Sequence, residues 1–319
     1  MIDFPEFSEV EWFVTQMKKF CVHQNTSPKN YESAYNKSNK RNTMIGLINN
    51  AIPGYFPTNG TDILAELIKC SYEQLLEIKS IIDSSNYDFS LNSEWKKFEE
   101  AYNYFVNNGY NIEFVRKYGI KCCPYCNENY VFSRITKSGC QLDHFFPKSK
   151  YPIFAICLYN LVPVCSICNH VKLENPINIS PHDHRETTTR FRQQTHLSYE
   201  ITEFSWPYKE ESIEIVLQYD DHVDNDFRIS SENDFKTLEL FEDYNYHKDY
   251  IIEILRKATL YNHSCIELIQ NSFIGLFEDR DEILRYLFGN YYQQGDLLKR
   301  PLSKLTRDLL LELDLIEKE

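Results

Sequence analysis

Two cysteine pairs limit what this chain can fold into more than any other feature. Cys123-Pro124-Tyr125-Cys126 and Cys165-Ser166-Ile167-Cys168 each have C-x2-C spacing, and 38 residues separate them. A C-x2-C turn aims two thiolates at one point, and two such turns complete a tetrahedral set around a single zinc ion. The chain must therefore double back between the pairs. Cys122 is an alternative to Cys123, and Cys140 and Cys157 lie in the same window, but none of the three has a partner at that spacing. Cys21, Cys70 and Cys265 stand apart and are expected as buried small side chains.

The N-terminal MIDFPEFSEVEWF has neither a basic n-region nor an apolar h-region, so it is not a signal peptide. No stretch approaches the ~20 apolar residues needed to span a bilayer. Cytoplasmic localisation follows as the expectation, with no membrane partner. There, ten cysteines point to metal binding or packing rather than disulfides.

Helical periodicity runs through residues 1–20 and 61–118, as in DILAELIKCSYEQLLEIKSII and SEWKKFEEAYNYFVNN. The polar, Asn/Ser/Lys-rich segment 23–42 reads as a loop, and 173–196 as irregular structure. ITEFSW and SIEIVLQY suggest a strand pair. Beyond residue 232, Ile251, Ile254, Leu255, Ala258, Tyr261, Cys265 and Leu268 recur on one helical face. RPLSKLTRDLLLEL follows, with Pro301 in a first helical turn. The expected fold is α+β, a mainly helical chain with a zinc-clamped unit at its centre. The expected domains are 1–118, helical; 119–196, the zinc-clamped core; and 197–319, a short strand pair followed by helices.

Between the cysteine pairs, YVFSRI and CQLDHF are short β-prone runs joined by Thr136-Lys137-Ser138-Gly139, a hairpin signal. Asp143 and His144 fall near the end of the second run. Asn160 opens the apolar run LVPV, and Asn169 falls where a helix begins. The expected unit is therefore two strands and a helix. Residues 116–172 hold eight basic and two acidic side chains, +6 in a chain of net charge −13, which leaves −19 for the rest. Such an island suits a polyanion.

Asp143-His144, then Asn160 after fifteen residues and Asn169 after eight more, within a C-x2-C…C-x2-C frame, resembles the HNH endonucleases of the ββα-metal class. The likeness covers about 119–172. DHFFPKSKYP, YNLVPVC and GNYYQQGDLLKRPLSKLTRDLL further resemble bacterial anti-phage HNH proteins, in particular the HNH subunit of Septu-type systems, which works with an ATPase. The resemblance implies a metal-dependent nuclease that hydrolyses phosphodiester bonds, DNA favoured.

In that reading His144 is the general base, since imidazole titrates near working pH. Asp143 holds one Mg²⁺ or Mn²⁺ against the scissile phosphate. Asn160 is implied to bond the loop backbone around His144. Asn169 replaces the family's last histidine and offers an amide oxygen as metal ligand, a donor better suited to Mg²⁺ than to Zn²⁺. Lys172, one helical turn beyond Asn169, and Lys148 and Lys150 are candidate phosphate contacts. Structural zinc is assigned to Cys123, Cys126, Cys165 and Cys168. The alternatives are an RNA (tRNA) endonuclease and a non-catalytic zinc-ribbon binding module, which has no need for Asp143, His144 and Asn169 together. His182 and His184, an i, i+2 pair in a polar loop, read as surface residues, with metal binding as the other possibility. Lys299, Arg300, Lys304 and Arg307 read as a solvated helix face, with contact to nucleic acid or a partner as the other possibility.

Overall fold

Helix boundaries follow from the chemistry of the helix ends. In the computed structural model, which describes residues 1–57, 59–203 and 208–317, helix Tyr72–Ser85 opens on a reciprocal cap. Ser71 Oγ accepts from Gln74 N at 3.3 Å, and Gln74 Oε1 accepts from Ser71 N at 2.9 Å. Helix Tyr110–Tyr118 lies between Gly109 and Gly119, at φ 75° and 73°. A side chain at either position would be strained.

The described residues are rich in helix and carry two two-stranded antiparallel sheets, an α+β arrangement. They divide into two compact units, Phe4–Ile120 with Val131–Pro176, and Met1–Asp3 with Lys121–Tyr130 and Ile177–Glu319. None of the described helices is long and apolar enough to cross a membrane.

An aromatic core holds the helices of the first unit. Phe13 on helix Val10–Lys18, Phe105 on Lys96–Asn107 and Phe114 on Tyr110–Tyr118 are fully buried. The Phe13 ring centroid lies 5.2 Å from those of both Phe105 and Phe114, in edge-on and tilted arrangements that the ring quadrupoles favour. Phe98, Ala101 and Phe105 share the buried face of helix Lys96–Asn107, and Glu99 is exposed. This helix packs on the 3-10 turn Pro152–Ile156. Strand β1 (Gln141–His144) pairs with β2 (Leu161–Val164), Asp143 opposite Val162 and His144 opposite Leu161. Helix Ser166–Lys172 follows β2, its first turn capped by Cys165 Sγ, which accepts from Cys168 N at 3.4 Å.

The expected hairpin between YVFSRI and CQLDHF does not form. Tyr130 makes an isolated bridge to Cys122, and Arg134 N donates to Lys137 O at 2.8 Å, closing a local turn. Phe132 and Ile135 are 50% and 84% exposed and only Val131 of this run is buried, whereas all four residues of β2 are buried. Burial outweighs proximity in selecting the partner of β1. The supposed loop at 23–42 is largely helical: a 3-10 turn, helix Tyr31–Asn36 and the start of Asn39–Ala51. Ser38 Oγ accepts from Arg41 N at 3.4 Å, so a residue read as loop is a helix cap. Within 173–196, helix Glu186–Gln193 likewise forms.

In the second unit β3 (Thr195–Ile201) pairs along its length with β4 (Ile213–Tyr219). Of the expected strand ITEFSW, Ile201 belongs to β3, and Phe204–Trp206 lie outside the described residues. Helix Ser303–Glu312 packs on β3. Its basic residues are not a solvated face, because Lys304 and Arg307 are 8% and 4% exposed. Lys304 Nζ donates to Asp308 Oδ1 at 2.7 Å and to Thr195 O at 2.8 Å, and Asp308 Oδ2 accepts from Leu197 N at 2.8 Å. The ion pair thus ties the helix to the strand. Pro301 stands ahead of the helix rather than in its first turn. Asn127 organises that end: its carbonyl accepts from Leu302 N at 2.6 Å, and its Oδ1 accepts from Lys304 N at 2.8 Å. The second bond satisfies one of the orphan amides of the helix start.

Asp308→Ala would leave the buried Lys304 ammonium without its counter-ion and the buried Leu197 amide without its acceptor. The expected loss is about 3–5 kcal/mol, read as a lower urea midpoint at unchanged slope. Glu253→Ala, which breaks the 2.7 Å exposed pair with Lys257, is expected to lose less than about 1 kcal/mol.

Candidate active site

The Sγ atoms of Cys123, Cys126, Cys165 and Cys168 lie within 4.8 Å of one another, and all four residues are buried. Cys122, Cys140 and Cys157 are outside this group. Zinc held by four thiolates at ~2.3 Å sets the sulfurs about 3.8 Å apart, so modest side-chain adjustment closes the group on one ion. Glu128 N points at Cys126 Sγ at 3.4 Å, and Cys168 N at Cys165 Sγ at 3.4 Å. Such donors stabilise thiolate charge and orient the ligands. The cluster can hold a structural zinc.

His144 ends β1 and is 8% exposed. Its Nε2 lies 3.1 Å from Ala155 O. A carbonyl only accepts, so Nε2 carries the proton and Nδ1 is the basic nitrogen. Tyr102 packs edge-on against the ring, centroids 4.5 Å apart, and donates its hydroxyl to Leu142 O at 3.3 Å. Burial pushes the imidazole pKa down to about 3; the Ala155 bond opposes this, and Lys148 and Lys172 add to it. His144 is therefore neutral near pH 7, the form that accepts a proton, but the expectation that its imidazole titrates near working pH is corrected, because burial places it far below that range.

Asn160 is fully buried. Its Oδ1 accepts from Phe146 N at 2.7 Å, and its Nδ2 donates to Phe146 O at 3.2 Å and Phe154 O at 3.0 Å. One amide thus joins the segment leaving His144 to the turn that carries Ala155. Asp143, 4% exposed, is paired through Oδ1 with Lys172 Nζ at 3.1 Å. Asn169 Nδ2 donates to Gln141 Oε1 at 2.5 Å, across from helix to strand.

Asp143, His144, Lys148 and Asn169 line one cavity of about 470 Å³, with Tyr102 and Glu174 in its wall. Adjacent strand residues ordinarily point to opposite faces, yet Asp143 and His144 both line this cavity. Lys148 Nζ is held by Glu99 at 2.7 Å. Lys150 lies on the exposed loop beside the Tyr151 ring, outside the cavity lining. Lys172 does not reach solvent: its side chain is 0% exposed, and Nζ also donates to His144 O at 3.1 Å. Its expected place as a phosphate contact is corrected to that of an internal cation. His182, read as a surface residue, is buried, while His184 is exposed.

Tyr102 and Ala155 were not singled out from the sequence. Tyr102 belongs to an ordinary amphipathic helix, and Ala155 contributes only its carbonyl, so neither leaves a local signal. Comparison of the chain with protein-family models, with curated proteins and with solved structures gives no match.

Elemental analysis of the untreated chain is expected to give about one zinc per chain. Cys165→Ser should lose that zinc together with near-ultraviolet signal and thermal stability, since structural zinc contributes folding free energy. A folded, zinc-free wild-type chain would overturn the assignment.

Proposed function

We propose that this chain is a metal-dependent endonuclease of the HNH type, in which β1, β2 and helix Ser166–Lys172 act as a ββα-metal unit. It hydrolyses phosphodiester bonds of nucleic acid, with DNA favoured. The observation that carries the reading is the convergence of Asp143, His144 and Asn169 on one cavity, with the imidazole held by Ala155 O.

The donor set fits a hard divalent cation: a carboxylate and an amide oxygen are the ligands Mg²⁺ and Mn²⁺ take. A carboxylate has about four lone-pair directions, so the 3.1 Å pairing of Asp143 with Lys172 is compatible with metal ligation. Bound there, the cation would polarise the phosphate and stabilise the leaving oxygen. His144 Nδ1 takes the proton of the attacking water. Ala155 O, bonded to the opposite edge of the ring, stabilises the imidazolium that results. Lys148 meets the substrate phosphate by exchanging its contact with Glu99.

The same resemblance places the chain as the nuclease effector of a bacterial anti-phage system, cytoplasmic and acting with an ATPase. Its charge supports a partner. Backbone binding scales with the phosphates neutralised, and a body of net charge −13 needs positive field from elsewhere.

Incubation of the purified chain with Mn²⁺ and either plasmid or total RNA tests the reading and decides between DNA and RNA. His144→Ala is expected to lower cleavage by at least about 10²-fold with zinc content and circular dichroism unchanged. Asn169→Ala should be partly rescued by high Mn²⁺. Undiminished cleavage by the His144→Ala protein would remove His144 as the base.

A further inference from the structure

Lys172 occupies a position that its chemistry does not favour without a purpose. It ends helix Ser166–Lys172, its side chain is 0% exposed, and its ammonium donates to Asp143 Oδ1 and to His144 O, each at 3.1 Å. Burying an ammonium and a carboxylate together is costly, and an apolar pair of similar volume is often as stable. An ionised carboxylate this deeply buried requires a compensating cation. Lys172 supplies one from the protein itself, on the carboxylate that the reading above assigns to metal binding.

We infer that Lys172 is a positioning residue with two effects on Asp143. The bond to His144 O, together with the ion pair, fixes the end of β1 and so the direction in which the carboxylate presents its remaining lone pairs. The fixed positive charge meanwhile opposes a dication at the same carboxylate, because like charges a few ångströms apart repel strongly where water is excluded. Asp143 and Lys172 together carry no net charge, so the cation is held weakly by the chain alone. A substrate phosphate adds negative charge and oxygen ligands to the cavity and raises the hold. Metal occupancy is thereby coupled to substrate. This inference rests on the metal-nuclease reading of the cavity.

Mn²⁺ binding to the zinc-loaded chain, followed by electron paramagnetic resonance without nucleic acid, tests it. Lys172→Gln removes the charge and keeps two N–H donors; Lys172→Met removes both. Each variant is first checked for wild-type zinc content and circular dichroism, and Lys172→Gln alone suffices if Lys172→Met does not fold. Lys172→Gln is expected to bind Mn²⁺ about tenfold more tightly or better, yet to cleave more slowly at saturating Mn²⁺. Lys172→Met should show the same tightening with the greater loss of cleavage. A purely structural lysine would not give tighter metal binding with slower cleavage. Mn²⁺ affinity equal to or weaker than wild type in Lys172→Gln overturns the inference alone, provided that Asp143→Asn abolishes binding. If Asp143→Asn leaves Mn²⁺ binding intact, the metal-nuclease reading falls and the inference with it.

Discussion

The cavity depends on one buried amide. Asn160 bonds the backbone of Phe146 twice and that of Phe154 once, so the chain leaving β1 cannot move independently of the turn Pro152–Ile156. That turn carries Ala155, whose carbonyl sets the tautomer and direction of His144. The amide is fully buried and its three bonds replace the water it gives up, because an unmet polar group there would be destabilising. The position of the imidazole is thus decided by a residue that does not line the cavity. Tyr102 supports the same ring from helix Lys96–Asn107, which the aromatic core of Phe13, Phe105 and Phe114 holds in place.

The two units use the same device, a buried lysine paired with an aspartate. Lys304 and Asp308 join a helix to β3, and Lys172 joins a helix to the Asp143 carboxylate and the His144 backbone. Internal pairing changes the meaning of charge counted along the sequence. Of the eight basic residues in 116–172, Lys172 is interior, Lys148 is engaged by Glu99 and Lys117 lies near Glu9 and Glu113. The local excess of positive charge is therefore not an equal excess of cations available to a phosphate backbone.

Short-range chemistry in the sequence specified much of this molecule. C-x2-C spacing is a local property of a turn, and the four cysteines it marks do gather in one buried group. Helical periodicity identified amphipathic helices such as Lys96–Asn107, but the single face read from Ile251 to Leu268 is broken into Lys248–Leu260 and His263–Ser272, with Leu268 65% exposed. Ser38 and Arg134 mark where that legibility fails. A serine serves equally as a loop residue and as a helix cap. A β-prone run such as Val131–Ile135 forms no strand where only one of its side chains, Val131, is buried and Phe132 and Ile135 are exposed.

What the sequence by itself determined is the kinds of atoms available: four cysteine sulfurs at two turns, an Asp-His dipeptide, and two asparagines at set distances along the chain. Tertiary structure alone decided which of these meet. The pairing of β1 with β2 rather than with its sequence neighbour placed Asp143 and His144 beside helix Ser166–Lys172. It also turned Lys172, which in the sequence is a basic residue one helical turn from Asn169, into an interior counter-ion. Burial depends on what the rest of the chain places around a side chain, and no window of local sequence contains that information. The carbonyl of Ala155 and the ring of Tyr102 became parts of the site for the same reason: long-range packing brought them to His144.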